Sequence, residues 1–303
     1  MLRFTLLYLS RHRGIRNLAE RSGLARRVSS RFIAGSTLGE ALAVCQRIRG
    51  EGITATLDYL GENVRSPAEA AACRDMCIQA LHALHAAGLE PNVSLKLTQF
   101  GIDFGMEVCE PNVSLLVQAA AAIGGFVRID MEGSAYTGQT LDLVRRLHGQ
   151  YAACGTVIQA YLRRSPHDLA SLTEAGIRVR LCKGAYLEPP VVAFPDKADV
   201  DRQYLALAQQ LLEAGHYPAI ATHDERMIDG VERFAASKGI ARDSFEFQML
   251  YGIRRDLQKR LVADGYRMRL YVPFGEAWYP YFMRRLAERP ANLLFLLRNL
   301  WRH

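Results

Sequence analysis

Two adjacent arginines near the end of the chain have the chemistry of a carboxylate site. Arg284 and Arg285 precede Glu288 by four and three residues, a spacing that brings three charged groups over one turn of a helix. A guanidinium is planar, permanently charged and able to bind a carboxylate through two parallel hydrogen bonds. Such a turn is also common on a solvated helix face, where an ion pair contributes only about a few tenths of a kcal/mol. The spacing leaves open both a small-acid site and a surface ion pair.

A second set of polar residues follows short apolar segments. Each lies at or just after the carboxyl end of one of seven consecutive segments. Strands covered on both faces are expected to be apolar, and a buried polar group costs several kcal/mol unless it is paired. Polar residues at the same end of seven consecutive segments therefore predict a functional site. The residues are Lys96, Asp130 with Glu132, Gln159, Arg180 with Lys183, Thr222 with His223 and Asp224, Gln248, and Tyr271.

The elements that must position these residues alternate along the chain. Strand-like segments, rich in branched residues and bounded by Gly, Pro or Asn, are separated by helical patterns. Eight strands alternating with helices predict an α/β fold that closes as a (β/α)8 TIM-type barrel, with its active site at the carboxyl ends of the strands. The predicted strands cover residues 53–60, 93–97, 126–132, 156–161, 178–183, 219–223, 245–250 and 268–273.

Three helices have recognisable start signals. A Ser or Thr cap followed three residues later by Glu predicts a capping box, and Pro is favoured at the first helical position. The signals are Thr37 with Glu40, Ser66 with Pro67 and Glu69, and Ser165 with Pro166; the corresponding helices are expected to end at Gly50, Gly88 and Gly176. The chain is expected to be one structural domain, with a basic helical arm over residues 1–50 and the barrel over residues 51–303.

The composition restricts the class of protein. The 303-residue chain has a net charge of +7, and residues 1–35 carry eight arginines against one acid, Glu20. A basic arm can contact nucleic acid or an anionic membrane, or can be a solvated helical cap. The six cysteines form no CxxC pair, which favours buried, reduced thiols in a cytosolic protein. No stretch approaches eighteen apolar residues, and the amino-terminal segment has the wrong flanks for a signal peptide, so we expect no membrane span.

The fifth predicted strand has features of a cofactor site. Arg180 and Lys183 are followed by Gly184 and Ala185, a combination of cations and small residues suited to an anionic or planar cofactor. An internal salt bridge from Arg180 to Asp130 is the alternative. We expect no metal site, since no second histidine accompanies His223 on a neighbouring strand end. A GxGxxG turn and a Walker phosphate loop are both missing, which argues against a Rossmann nucleotide site.

The ordered set of strand-end motifs resembles one family. VSLKLTQFG, RIDME, VIQAYLRRS, VRLCKGAY, ATHD, EFQML and LYVPFGEAWYPYFMRRLAERPAN occur in this order between about residues 50 and 293. They resemble the proline dehydrogenases, FAD-dependent enzymes with a distorted (β/α)8 barrel. The resemblance implies extra N-terminal helices and a final helix over the active site.

The resemblance also implies a role for each matching residue. Asp130 and Arg180 are implied to be catalytic, with Arg180 near the reactive flavin nitrogen N5. Two positions depart from the pattern: Asp224 stands where Asn is common, and Cys182 where Val is frequent. The implied substrate contacts are Lys96, Tyr186, Leu250, Tyr271, Arg284, Arg285 and Glu288, the two arginines gripping the proline carboxylate. The implied cofactor contacts are Met131, Gln159, Arg180, Cys182, Lys183, Gly184, Ala185, Thr222, His223, Asp224 and Gln248.

The implied reaction is the first step of proline catabolism to glutamate. L-Proline would be oxidised to 1-pyrroline-5-carboxylate by hydride transfer from ring carbon C5 to flavin N5, and the electrons would pass to a quinone. The implied location is cytoplasmic, with peripheral contact at the inner membrane, and the product could be handed to a pyrroline-5-carboxylate dehydrogenase. The leucine-rich tail ANLLFLLRNLWRH suits either a bilayer surface or packing on the barrel.

Two other functions remain to be weighed against this one. A barrel aldolase would use Lys96 or Lys183 as a Schiff-base nucleophile, with the arginines binding phosphate. A non-enzymatic binder would hold nucleic acid with the basic arm, and its binding would depend steeply on salt. No nucleic-acid motif is recognisable, and such a binder leaves the polar strand ends unexplained, so we expect no nucleic-acid partner.

Overall fold

Eight parallel strands form a closed barrel. The computed structural model describes residues 30–61 and 64–288, with side chains described as far as residue 283. Each strand pairs in parallel with the next, and β1 closes the barrel against β8, for example through Leu57 opposite Val272. The predicted fold class is confirmed. The strands are β1 Thr54–Tyr59, β2 Asn92–Leu95, β3 Phe126–Ile129, β4 Cys154–Gln159, β5 Arg178–Cys182, β6 Ala219–Ala221, β7 Glu246–Leu250 and β8 Arg267–Phe274.

Helices follow the strands and cover the outside of the barrel. Their buried faces and the outward-facing strand residues form one continuous apolar core. The α-helices of the described residues are α1 Leu38–Gly50, α2 Pro67–Ala86, α3 Met106–Ala122, α4 Thr137–Tyr151, α5 Ser165–Glu174, α6 Lys197–Ala214, α7 Glu225–Ser237, α8 Arg255–Ala263 and α9 Trp278–Glu288.

The start signals of α1 and α2 act largely as predicted. The amide of Glu40 donates to Thr37 Oγ1 at 3.3 Å, and the Glu40 carboxylate accepts from the Thr37 amide at 3.0 Å. Ser66 caps α2 by accepting from the Glu69 amide at 3.2 Å. The Glu69 carboxylate accepts from the amide of Arg65 at 2.7 Å. Both helices thus begin with backbone donors satisfied by side chains.

The prediction that Ser165 caps α5 is wrong. Ser165 is the first residue of the helix, and Arg164 is its N-cap, without a capping side-chain bond. The Ser165 hydroxyl donates to the Gln159 carbonyl at the end of β4, at 2.6 Å. Because the hydroxyl satisfies a strand-end carbonyl, it anchors the β4–α5 turn close to the sheet.

Helix α1 takes the place that a regular barrel gives to the helix after β8. It packs against both β1 and β8 with Ala41, Cys45 and Ile48 buried. The segment before it is fixed to the end of β8 by a hydrogen bond from the Ala34 amide to the Pro273 carbonyl at 2.8 Å. Residues 30–50 therefore form part of the barrel wall.

Helix α9 begins just beyond the carboxyl end of β8. Trp278, Tyr279, Tyr281 and Phe282 are buried, and the ring of Phe282 lies 6.0 Å from that of Phe32, just before α1. The chain before the barrel and the chain after it therefore contact each other. Arg284, Arg285 and Glu288, the residues predicted to bind the proline carboxylate, are in α9, but their side chains are not among those described. Residues 1–29 of the arm and the leucine-rich tail also lie outside the described residues.

All six cysteines are free, and only Cys182 is partly exposed. Burial raises the pKa of the Cys45 thiol to about 12 and that of Cys73 to about 11, which keeps both protonated and unreactive. Five of the six cysteines are therefore buried, as the sequence predicts, and their reduced state stays a prediction. Over residues 30–61 and 64–288, every helix is too short or too polar to cross a bilayer.

Candidate active site

Arg180 connects four strands through one guanidinium. This side chain of β5 is 6% exposed. Nη1 donates at 2.8 Å to Oδ1 of Asp130, which follows β3. Nη2 donates at 3.1 Å to Oγ of Ser94, which lies on β2. Nε donates to Gln248 Oε1 on β7. The predicted internal salt bridge to Asp130 therefore exists, and it lies within the predicted site, so the two interpretations of this strand are compatible.

Tyr271 and Lys96 extend this network towards β1. The Tyr271 hydroxyl donates to Asp130 Oδ2 at 2.9 Å and accepts from Lys96 Nζ at 3.1 Å. Lys96 also contacts Asp58 Oδ1 at 3.5 Å and Asp130 Oδ2 at 3.7 Å. Burial and the charges of Asp130 and Asp58 raise the pKa of Tyr271 well above its usual range. Tyr271 is therefore a phenol donor at neutral pH.

A second charged layer lies deeper in the barrel. Glu246 accepts from Arg269 Nε at 2.9 and 3.0 Å, and Arg269 Nη2 donates to Glu90 at 2.8 Å. Gln248 bridges the two layers, since its Nε2 donates to Glu246. Burial and the neighbouring Arg180 lower the pKa of Arg128 to about 9. The upper network thus rests on a charged and hydrogen-bonded layer instead of the usual apolar filling of a TIM barrel.

Gln159 is buried beside the end of β3. Its Nε2 donates to the backbone carbonyls of Met131 at 3.1 Å and Glu132 at 3.3 Å. Both donor hydrogens are thus committed, whereas Oε1 has no hydrogen-bond partner among the described residues. Glu132 accepts from the amide and hydroxyl of Thr98 at 3.0 and 2.7 Å. Met131 is buried. The Oε1 atom of Gln159 is therefore a buried acceptor that still needs a hydrogen-bond donor.

Charged residues form a cluster after β5 and β6. Lys183 donates to Asp201 and, at 2.9 Å, to Asp224. Lys197 and Arg226 contact the same two carboxylates, for example Lys197 to Asp201 at 2.5 Å. Burial would raise the pKa of Asp224, but hydrogen bonds from Lys183 and Arg226 outweigh burial and hold that pKa well below its usual range. Three cations and two carboxylates leave this cluster with a net charge of +1.

The remaining residues after β6 have defined local roles. Leu250 donates its amide to His223 Nε2 at 2.9 Å, which identifies the tautomer of a neutral His223 as the one protonated on Nδ1. Thr222 Oγ1 accepts from the amide of Asp224 at 3.1 Å, and Asp224 is the N-cap of α7. Within the described residues no group of three His, Cys, Asp or Glu side chains is arranged to hold a metal.

The loop after β5 places its residues at the rim. Cys182 and Gly184 are half-buried, and Ala185 and Tyr186 are exposed, Tyr186 by 42%. Gly184 has a φ of +102°, and a Cβ there would overlap the ring of Tyr161. Glycine is therefore required for local packing as well as for any close approach of a ligand.

Comparison with known proteins gives a consistent family. The family model described as proline dehydrogenase matches residues 41–298. The chain belongs to the proline dehydrogenase family. It is 46% identical over 278 residues to the proline dehydrogenase of Deinococcus radiodurans, covering 90% of each chain. It is 40% identical over 300 residues to proline dehydrogenase 1 of Bacillus subtilis strain 168, covering 99% of each.

A solved structure supports the same assignment. The proline utilization A protein of Bdellovibrio bacteriovorus, in a crystal structure of its form inactivated by N-propargylglycine, superposes with a TM-score of 0.82 at 30% identity. The match covers 94% of the present chain and 36% of that larger protein. The present chain is thus a proline dehydrogenase in class.

The predicted site residues of this proline dehydrogenase whose side chains are described fall into three groups. Lys96, Asp130, Arg180, Gln248 and Tyr271 meet in the central network. The charged rim cluster contains Lys183 and Asp224, with Gln159, Met131, Thr222, His223 and Leu250 on neighbouring strand ends. A third group, Cys182, Gly184, Ala185 and Tyr186, belongs to the β5–α6 loop.

Several participants were not predicted from the sequence. Asp58 lies near the carboxyl end of β1, as the other polar residues do on their strands, and the same rule would have found it. Ser94 gives no signal, because serine is common at structural positions. Asp201 belongs to none of the recognised motifs and lies within a helix, 18 residues after its partner Lys183. Its role depends on the path of the β5–α6 loop.

Proposed function

We propose that this proline dehydrogenase binds FAD with its strand-end residues, oxidises L-proline to 1-pyrroline-5-carboxylate and passes the electrons to a quinone. The observation that carries the proposal is the buried Arg180 fork, fixed by partners on three other strands. A preorganised cation of this kind stabilises negative charge without reorganising during the reaction. It suits a cofactor that becomes more negative when it is reduced.

The donors and acceptors at the strand ends fit a flavin. Gln159 Oε1 is buried without a partner in the described part of the chain and can accept from an imide or ring N–H. The rim cluster has a surplus of one cation, which suits a diphosphate. His223 Nδ1–H and Thr222 are further polar groups on the same side of the barrel. The residues that would hold the cofactor are those that the family resemblance implies.

The reaction removes a hydride from C5 and a proton from the ring nitrogen of proline, and the proton would be released to solvent. When bound, the flavin supplies the two-electron acceptor for the hydride. Asp130 stabilises the positive charge that develops on the substrate nitrogen as the C=N bond forms, since its carboxylate is held in place by Arg180 and Tyr271. Lys96 would orient the substrate as a donor, and Tyr271 would pack on its ring. The family resemblance implies that Arg284 and Arg285, oriented by Glu288, hold its carboxylate.

The aldolase alternative is disfavoured by the surroundings of both lysines. A Schiff-base nucleophile has to be a neutral amine. Lys96 contacts Asp58 and Asp130, and Lys183 contacts Asp201 and Asp224. Each amine is engaged by two carboxylates, so neither lysine is placed to attack a carbonyl group.

The colour of the purified protein tests the proposal. We expect a yellow protein with flavin absorbance that bleaches when L-proline is added without oxygen, because the hydride moves to the flavin. A protein that stays colourless after FAD is supplied would refute the cofactor assignment. Electron transfer to a quinone in vesicles, measured with and without residues 292–303, tests the acceptor and the proposed peripheral contact of the tail. Transfer of product to a pyrroline-5-carboxylate dehydrogenase remains a proposal.

A further inference from the structure

Glu188 connects the β5–α6 loop to the β3–α4 turn, and the reaction described above gives it no role. Its Oε1 accepts from the backbone amide of Ser134 at 2.7 Å, and its Oε2 accepts from the Ser134 hydroxyl at 2.5 Å. Every residue of the stretch 185–191 is exposed except Glu188, which is half-buried. Hydrogen bonds to a carboxylate are stronger than those between neutral groups. Glu188 therefore makes a fixed contact on an otherwise solvated loop.

Both ends of the β5–α6 loop are bonded to the segment that follows β4. The Tyr161 amide donates to the Lys183 carbonyl at 2.9 Å, and the Arg163 amide donates to the Val192 carbonyl at 3.0 Å. Arg163 Nε also donates to the Pro190 carbonyl at 2.9 Å. The loop is thus held at its two ends by one neighbour, and its middle is the part that reaches the β3–α4 turn.

The β3–α4 turn is itself fixed to its neighbours. Glu132 accepts from the amide and the hydroxyl of Thr98, and the Tyr136 hydroxyl donates to Asp103 at 2.6 Å. Gln159 Nε2 donates to two backbone carbonyls of the same segment. Because the turn is bonded on several sides, a contact with it restricts where the middle of the β5–α6 loop can lie.

The loop and the turn carry residues that the family resemblance assigns to both ligands. Lys183, Gly184 and Ala185 are implied to contact the cofactor, as is Met131 before the turn, and Tyr186 is implied to contact the substrate. A loop that has to be ordered when a ligand binds lowers the affinity, whereas a loop already held in place does not. The contact made by Glu188 is therefore placed to affect the binding of both ligands.

We propose that Glu188 is a positioning residue, which holds the β5–α6 loop on the β3–α4 turn in the arrangement that binds FAD and proline. This inference rests on the proposed function. Glu188 acts through the position of the loop. When the loop is held in place for a smaller fraction of the time, the apparent dissociation constants of both ligands increase by the same fraction, and a bound cofactor leaves more easily.

Two substitutions separate the reach of Glu188 from its charge. Glu188→Gln loses the charge but keeps the length, so that Oε1 can still accept from the Ser134 amide and Nε2 can donate to the Ser134 hydroxyl. Glu188→Asp keeps the charge but is shorter by one methylene group and cannot span the same distance. Glu188→Ala loses both properties.

The rate of FAD release and the steady-state constants for proline provide the measurement. FAD release from the holoenzyme is followed by the recovery of flavin fluorescence after dilution. We expect Glu188→Ala and Glu188→Asp to increase this rate and the KM for proline by about tenfold, the effect of losing a hydrogen bond to a charged group. The effect on kcat should be smaller, because Arg180 and Asp130 are unchanged. Glu188→Gln should remain close to the wild type.

Glu110→Ala is the matched control. Glu110 also accepts two hydrogen bonds from one residue, Arg146, but it does so on the outside of the barrel. Its replacement should leave FAD release and the KM unchanged, even if the melting temperature falls. Effects of Glu188→Ala that equal those of Glu110→Ala would overturn the proposal, because they would show a role in stability alone.

The comparison of Glu188→Gln with Glu188→Asp decides the matter even if Glu188→Ala does not fold. A glutamine variant that releases FAD as fast as the aspartate variant would overturn the proposal, since charge and not reach would then be required. A wild-type protein that holds no FAD would instead refute the proposed function. A yellow wild type without the expected order of variants refutes the role of Glu188 alone.

Discussion

A single guanidinium determines how the centre of this barrel is organised. Arg180 reaches three strands besides its own, and each of its partners is itself bonded to a further group. Such networks are rigid when every member is satisfied and fragile when one is lost. Arginine is required here for its shape as much as for its charge.

Replacement of Arg180 by Lys tests this requirement. Lysine keeps the charge but has no fork, so at most one of the three partners remains bonded. We expect a loss of roughly 1–3 kcal/mol in the free energy of unfolding and a decrease of about a hundredfold in kcat, measured by urea titration and proline turnover. Arg146→Lys is the control, because Arg146 makes a forked contact with Glu110 on the surface. Equal effects of the two substitutions would contradict a special role for Arg180.

The residues of the site could be predicted from the sequence to the extent that they break an apolar pattern. Lys96, Asp130, Arg180 and Tyr271 stand out at strand ends and do meet. The deeper Arg269 was not recognised, although it is a charge within a strand, because strand periodicity alone does not tell whether a charge faces the lumen or the solvent. Its partner Glu90 lies before β2 and is distant in sequence, 179 residues away.

At the scale of elements, the sequence predicts where a helix starts better than it predicts which strands the helix packs against. The capping box of α1 is readable because it depends on residues three apart. The position of α1 between β8 and β1 is not readable, since an amphipathic stripe specifies a buried face but not the groove that receives it. Ser165 illustrates the same limit, because its hydroxyl bonds a strand end instead of its own helix.

The cap of α1 should contribute to the stability of the whole barrel. Thr37→Ala removes the acceptor of the Glu40 amide, and we expect a loss of about 1 kcal/mol in the free energy of unfolding, measured by urea titration. Ser36→Ala is the control, since the Ser36 hydroxyl makes only a 3.5 Å contact with Glu40. If both variants are as stable as the wild type, the cap does not limit the stability of this wall.

At the scale of the molecule, carboxylates paired with cations make the free energy of unfolding depend on pH in the acid range. Asp201, Asp224 and Glu246 all have a lowered pKa in the fold. Burial opposes the shift in each case, but cationic partners outweigh it. A lowered folded-state pKa means that the unfolded chain binds more protons as the pH falls, so the stabilisation is present above the ordinary pKa and is lost below it.

Stability should therefore fall in a defined acid window. The ordinary pKa values are 3.8 for Asp and 4.5 for Glu. We expect the free energy of unfolding to be nearly constant from neutral pH down to about pH 5 and to decrease steeply below about pH 4, as urea titrations at successive pH values would measure. The double variant Asp201→Asn/Asp224→Asn should show a shallower decrease. An identical slope would mean that these carboxylates are not responsible.

The packing of helix α1 depends on the order in which the chain is synthesised. It is translated before every strand, but one of the two strands it covers is the last to be made, and the β1–β8 pairing joins Thr54 to Arg269. Contacts of such sequence separation form slowly. Until β8 has left the ribosome, the apolar face of α1 can pack only against β1. Part of that face stays exposed on the nascent chain, where a chaperone can bind it. The synthesis of β8 thus determines when α1 can complete its packing.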